Sequence, residues 1–185
     1  MSRPSVYFGG SRHLGNLPVV SQAVRAVITS GCSVHVGCQW GADHQVVNSA
    51  MFAPSFLVVF AVAAQQALPE HVAKAARAGA QVVPSAGGSS APIEARYLLR
   101  SKAAFRGCGQ AVFFQPGAGS LAVARECVKS GLPVFAFNPT PAAQPIAPGP
   151  IPSTPGAWEQ VSPASWWAAF GLPCWQFQPM QAGLF

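Results

Sequence analysis

Through the first 137 residues, short β-rich runs alternate with helical patterns, and several of the runs end in a glycine-rich turn. Parallel strands cannot be joined by a tight hairpin and need a long crossover, which a helix supplies. The alternation therefore predicts a parallel α/β sheet. Strands are expected at 5–8, 33–36, 56–62, 80–83, 111–114 and 133–137, with helices at 18–30, 69–78 and 92–105, one after the 37–43 turn through about 52 and one opened by the 115–120 turn through 129. Helix 18–30 shows the logic: Val20, Val24, Val27 and Ile28 share one face, and Gly31 follows as a stop signal. The expected architecture is a Rossmann-like sheet of about six strands with helices on both faces.

From Asn138 the composition changes. Ten of the eighteen prolines lie in the last 48 residues, where Glu159 is the one charged side chain. Proline fixes φ and lacks a donor, so 138–156 is expected to be an extended linker rather than a helix or central strand. Beyond it stand Trp158, Trp166, Trp167, Phe170, Trp175, Phe177 and Phe185. Rings in such number are expected to pack on the sheet domain or on a second subunit. Ser162-Pro163 is read as the start of a short helix reaching Phe170. The chain divides accordingly into a nucleotide- or phosphate-binding domain, 1–137, and a proline-rich, aromatic tail, 138–185.

Charge and length narrow the function classes. The first 137 residues carry eleven Lys and Arg against four acidic side chains, and the whole chain is +6. The excess favours anionic partners. Asp43 is the one aspartate, which makes carboxylate-rich metal cages improbable, and no metal or cofactor is expected. The longest apolar run, 56–64, is nine residues, about half a membrane span, and 1–10 lacks the apolar segment of a signal peptide. Five cysteines (Cys32, Cys38, Cys108, Cys127, Cys174) form no CxxC and leave one unpaired in any disulfide scheme. Small buried thiols in a cytoplasmic protein are the expectation.

Ligands of an open parallel sheet bind beyond the carboxyl ends of the strands. Three glycine-rich turns fall there: Gly9-Gly10-Ser11-Arg12, the 37–43 turn with Gly37, Trp40, Gly41 and Asp43, and the 115–120 turn with Gly117, Ala118, Gly119 and Ser120. The 85–90 segment adds a fourth. Glycine lets the backbone approach an anion, and each following helix offers free N–H groups and the positive end of its dipole. Neither GxGxxG nor GxxxxGK[ST] occurs, so a dinucleotide fingerprint and a Walker A loop are both absent. Arg12 reads as a phosphate clamp or a strand-end surface charge, and Asp43 as a sugar or base contact or a helix N-terminal carboxylate. Arg96, Arg100, Lys102 and Arg106 read equally as a nucleic-acid-facing basic face or a solvated one. Trp40 stacks on a base or packs beneath its loop. His13, His35 and His71 lack ligand-like spacing, and Ser11 and Ser120 lack a paired base.

The three turns together, with Gly117-Ala118-Gly119-Ser120-Leu121-Ala122-Val123-Ala124-Arg125 followed by Gly131-Leu132-Pro133-Val134-Phe135-Ala136-Phe137, resemble the superfamily joining the DNA-processing protein DprA (Smf) and the Lonely Guy proteins. DprA proteins carry a GSGSLxTAxxA helix followed by a G-x-x-V-F-A-V-P-G strand, and a glycine-aspartate turn like Gly41-Ala42-Asp43. The resemblance spans about residues 5–138. It implies binding of a nucleotide phosphate or a single-stranded nucleic-acid backbone by Gly9 to Arg12 and Gly117 to Ser120. Lonely Guy phosphoribohydrolases instead carry PGGxGTxxE. Here that turn is one residue shorter, and 121–124 offers no glutamate. A catalytic role is not expected. The rival is a nucleotide N-glycosidic hydrolase, for which Glu94 or Glu126 would have to serve. A third reading is an interaction module that uses the aromatic tail, through which the chain would form a homo-oligomer.

Overall fold

The computed structural model describes residues 3–62, 67–85, 92–138, 145–162, 167 and 173–180. Five helices and eight strands lie among them, in the order β1 (Ser5–Gly10), α1 (Pro18–Thr29), β2 (Ser33–Val36), α2 (Ala42–Ala50), β3 (Leu57–Val62), α3 (Glu70–Arg77), β4 (Gln81–Ser85), α4 (Ile93–Phe105), β5 (Gln110–Phe114), α5 (Ala118–Lys129), β6 (Val134–Phe137), β7 (Gly156–Gln160) and β8 (Cys174–Pro179). One sheet holds all eight strands in the order β4-β3-β2-β1-β5-β6-β8-β7. The first six are parallel.

The expectation of about six strands needs correcting. β8 runs antiparallel to β6, pairing Phe137 with Cys174 and Phe135 with Gln176, and β7 pairs antiparallel with β8. Both added strands come from the proline-rich part of the chain. Three of its prolines stand at positions that tolerate them: Pro155 precedes β7, Pro173 precedes β8 and Pro179 ends it. The short helix expected from Ser162-Pro163 to Phe170 and the 85–90 turn lie, apart from Ser85, Ser162 and Trp167, outside the described residues.

Period-two alternation sorts the strand side chains onto two faces. Val6 and Phe8, Val112 and Phe114, and Phe135 and Phe137 point to one face, where α1, α2 and α3 pack. Tyr7, Ala111 and Phe113, Val134 and Ala136 point to the other, under α4 and α5. On the first face Phe8, Phe114 and Phe137 form a ladder of stacked rings, with centroids 5.8 and 5.7 Å apart. Trp167 continues it, 6.0 Å from Phe137 and 5.8 Å from Phe135. This ring is 3% exposed, so the far side of the β6 core is covered by a residue of the tail.

Among the described residues no helix is long and apolar enough to cross a membrane, and no group of three metal-ligating side chains gathers. All five cysteines are free thiols. Burial pushes Cys108 up to about 11 and Cys174 up to about 12, which leaves both protonated and unreactive at neutral pH.

Deleting residues 139–185 would strip β8 from β6 and uncover Phe135 and Phe137. The expected result is aggregation, or a melting temperature lower by at least 5 °C in a thermal scan, roughly what a loss of 1–2 kcal/mol produces in a domain of this size. A truncated protein that stays monomeric and equally stable would show that the tail contributes nothing to the fold.

Candidate functional site

Strand β1 lies between β2 and β5, so the chain leaves it toward one side and returns on the other. The loops after β1 and β5 diverge at that switch, and a crevice opens between them. A cavity of about 490 Å³ occupies it. Tyr7, Gly9, Gly10 and Phe113 line it from the sheet, and Gly117, Ala118, Gly119 and Ser120 from the start of α5. Glu94, Tyr97, Leu98, Arg100 and Ser101 line it from α4, and Ser11, Arg12, Gln39, Trp40 and Asp43 from the first two glycine turns.

The α5 terminus is open. Gly117 stands at its N-cap with no side-chain cap and no acidic residue in the first turn, so the helix presents unsatisfied N–H groups and its positive dipole end. A Cβ added at Gly117 or Gly119 would meet nothing within 4 Å. The preceding Gln115 is held at φ 45°, a conformation a non-glycine residue adopts at a cost of about 1–2 kcal/mol. Its N–H is fixed on Phe137 O at 2.7 Å. The Ser120 hydroxyl donates to Gly10 O at 2.7 Å, tying α5 to the end of β1. These bonds pre-form the loop around the cavity.

The second turn supports the first. Gly41 has φ 76°, and a Cβ there would collide with the backbone of Ser11 and Arg12. That close approach lets Ala42 N–H donate to Ser11 O at 3.0 Å. Gly37 serves the interior: a Cβ on it would overlap the Asp43 carboxylate and the Arg100 guanidinium. Asp43 and Arg100 form a buried ion pair at 3.6 Å. Gln39 N–H donates to Asp43 Oδ2 at 3.1 Å, and Arg100 donates to Ser101 Oγ at 3.1 Å. Burial raises Asp43 above the ordinary carboxylate value, and the Arg100 charge and the Gln39 N–H only partly offset it. For Arg100 burial acts against the charge, but Asp43, Tyr7 and Cys38 outweigh it and the guanidinium stays protonated. Burial, aided by the Asp43 charge, pushes the Tyr7 phenol well above its usual value, so Tyr7 remains a neutral donor.

The structure brings most of the expected residues together. Gly9, Gly10, Ser11, Arg12, Asp43 and Gly117 to Ser120 line one cavity, with Trp40 at its rim, 64% exposed. Gly37 and Gly41 stand behind that lining. One of the four charges of the expected basic face, Arg100, is turned inward. Arg100 is buried on Asp43, Lys102 reaches Glu126 at 2.6 Å, and neither Lys102 nor Arg96 lines the cavity. Glu126 is also bonded to Arg125 at 3.1 Å and lies near Lys129, and Lys102, first among these, lowers its pKa. Sequence reasoning missed Tyr7, Ser101, Tyr97 and Phe113. Strand alternation could have found two of them: Tyr7 and Phe113 are the β1 and β5 residues that face α4 and α5.

No protein-family model matches the chain, and no curated protein matches it in sequence. Solved structures do match its shape. DNA processing protein A from Helicobacter pylori, which binds single-stranded DNA, superposes with a TM-score of 0.60 at 18% identity, over 76% of this chain and 67% of that one. The fold is DprA-like. TM1055, a structural-genomics target, superposes with a TM-score of 0.53 at 16% identity, over 71% of this chain and 72% of its own. The DprA-like resemblance read from short glycine motifs thus holds at the level of the fold.

Asp43→Ala would leave Arg100 charged and buried without its partner, at an expected cost of about 3 kcal/mol. Asp43→Ala combined with Arg100→Met should recover at least half of that loss in urea denaturation. A double variant as unstable as the sum of the singles would show that the two side chains are not coupled.

His71 is buried, with neither ring nitrogen hydrogen-bonded to the protein among the described residues. Burial, then the nearby His44 charge, lowers its pKa from 6.5 to about 4. Between those values the unfolded chain takes up a proton that folded His71 refuses, so stability falls as pH drops through the window. His71→Leu should show a smaller fall in melting temperature from pH 7 to pH 4.5 than the parent. An identical fall would place the acid sensitivity elsewhere.

Proposed function

We propose that this chain binds a nucleotide through its phosphate, free or as a unit of single-stranded nucleic acid, in the cavity at the β1–β5 switch. The observation that carries the reading is the pre-formed crevice itself, where the uncapped N-terminus of α5 and the exposed Arg12 side chain border the same space. Backbone N–H groups and a helix dipole suit a phosphate, and a guanidinium adds charge-assisted bonds. A volume of about 490 Å³ lies within the range of small-ligand sites. Tyr7, Ser101 and the Asp43–Arg100 pair offer the sugar or base a polar surface. Trp40 gives a base an exposed ring to stack on. The DprA-like fold and the single-stranded DNA binding of the Helicobacter pylori protein add support.

Hydrolysis of an N-glycosidic bond would fall to Glu94, which lines the cavity, since Glu126 is committed to three basic side chains. Release of free base from dAMP incubated with the protein would favour that rival over binding alone.

Calorimetric titration with dAMP and with deoxyadenosine tests the proposal. dAMP should bind at least tenfold more tightly, and Arg12→Ala should erase most of the difference without lowering the melting temperature. Gly119→Val should also fold, because an added Cβ meets nothing within 4 Å, yet lose the phosphate preference. Equal affinity for nucleotide and nucleoside in the parent protein would overturn the assignment.

A further inference from the structure

We infer that a second, base-recognising subsite lies beside the cavity, in a groove between the β1–α1 loop and α2. The inference rests on the proposed nucleotide reading and extends it from one unit to a strand of at least two. The groove has a volume of about 420 Å³. Asn16, Ser21, His44, Asn48 and Ser49 bring amide, hydroxyl and imidazole groups to it, and no Lys, Arg, Asp or Glu lines it. A phosphate would find no countercharge there. The edge of a nucleobase, neutral and carrying both donors and acceptors, matches amide and hydroxyl side chains in kind.

The groove and the cavity share one wall. Arg12 and His13 of the β1–α1 loop line the cavity, and Leu14, Asn16 and Leu17 of the same loop line the groove. On α2 the division repeats: Asp43 lines the cavity, while the next residue, His44, lines the groove. Gln45 pins the wall at three points, donating to Leu14 O at 3.2 Å and Gly15 O at 2.6 Å and accepting from Leu17 N–H at 3.0 Å. The wall is therefore rigid before any ligand arrives.

An aromatic bridge joins the two spaces. The Trp40 ring, at the cavity rim, lies 5.0 Å from His44, and His71 backs both rings at 5.5 and 4.8 Å. Asn48 Nδ2 and His44 Nε2 are 3.0 Å apart, which orients the imidazole within the groove. A strand with one phosphate in the cavity would pass its neighbouring base across Trp40 to His44. Stacking holds a base of any identity, and the side chains of the groove then read its edge.

The test compares pdApdAp, its two singly abasic counterparts and the mononucleotide pdAp, by calorimetry. pdApdAp should bind at least tenfold more tightly than pdAp and than either abasic form. His44→Ala and Asn48→Ala, each checked for an unchanged melting temperature, should bring pdApdAp to within about threefold of pdAp and leave pdAp affinity unmoved. Should either variant lose stability, Ser49→Phe, which fills the groove, is expected to give the same loss for pdApdAp alone. If pdApdAp binds no better than pdAp, or its advantage survives all three substitutions, the subsite is overturned while the cavity stands. If pdAp itself does not bind, the nucleotide reading fails and the subsite with it.

Discussion

A strand has two hydrogen-bonding edges, and in this sheet β1 gives one to β2 and the other to β5. Everything that makes the site follows from that placement. The crossover through α1 carries the chain to one side, and the returning chain must lay β5 on the other. The connections that leave the two carboxyl ends cannot cover the gap between them. The crevice is thus a product of strand order, and the glycines at its border are what allow backbone, rather than side chains, to form its surface.

The charges around the crevice are sorted by burial. Asp43 and Arg100 pair with each other in the cavity wall, so together they bring it no net charge. Among the described lining residues that leaves Arg12, the dipole of α5 and the Glu94 carboxylate. An anion entering beside Arg12 therefore meets positive potential without having to displace an existing ion pair. The buried pair contributes geometry instead. It ties the start of α2, on one face of the sheet, to α4 on the other.

Much of the α/β core was legible in the residues because each element there is both locally and tertiarily consistent. The apolar stripe of α1 and the continuous run of β3 bury the positions that their periods single out. The three glycine turns were legible for the same reason, since each lies between a strand and a helix whose boundaries were clear. The two tail strands were not. Gly156–Gln160 and Cys174–Pro179 carry weak alternation among prolines, and their pairing depends on the free edge of β6, a partner distant in sequence. Arg100 was misplaced because spacing alone does not distinguish a basic stripe from a helix that turns one of its charges inward. Only the position of Asp43, 57 residues earlier, decides that.

The antiparallel return of β8 has a consequence for the order in which the molecule is made. β6 leaves the ribosome before β8, and dozens of residues of proline-rich chain come between them. Throughout that interval the parallel sheet presents a bare edge flanked by Phe135 and Phe137. A nascent chain in this state offers other nascent chains the same backbone groups that β8 will later take. The prolines ahead of β7 cannot complete a ladder on that edge, and β7, the strand that emerges before β8, pairs in the finished sheet with β8 rather than with β6.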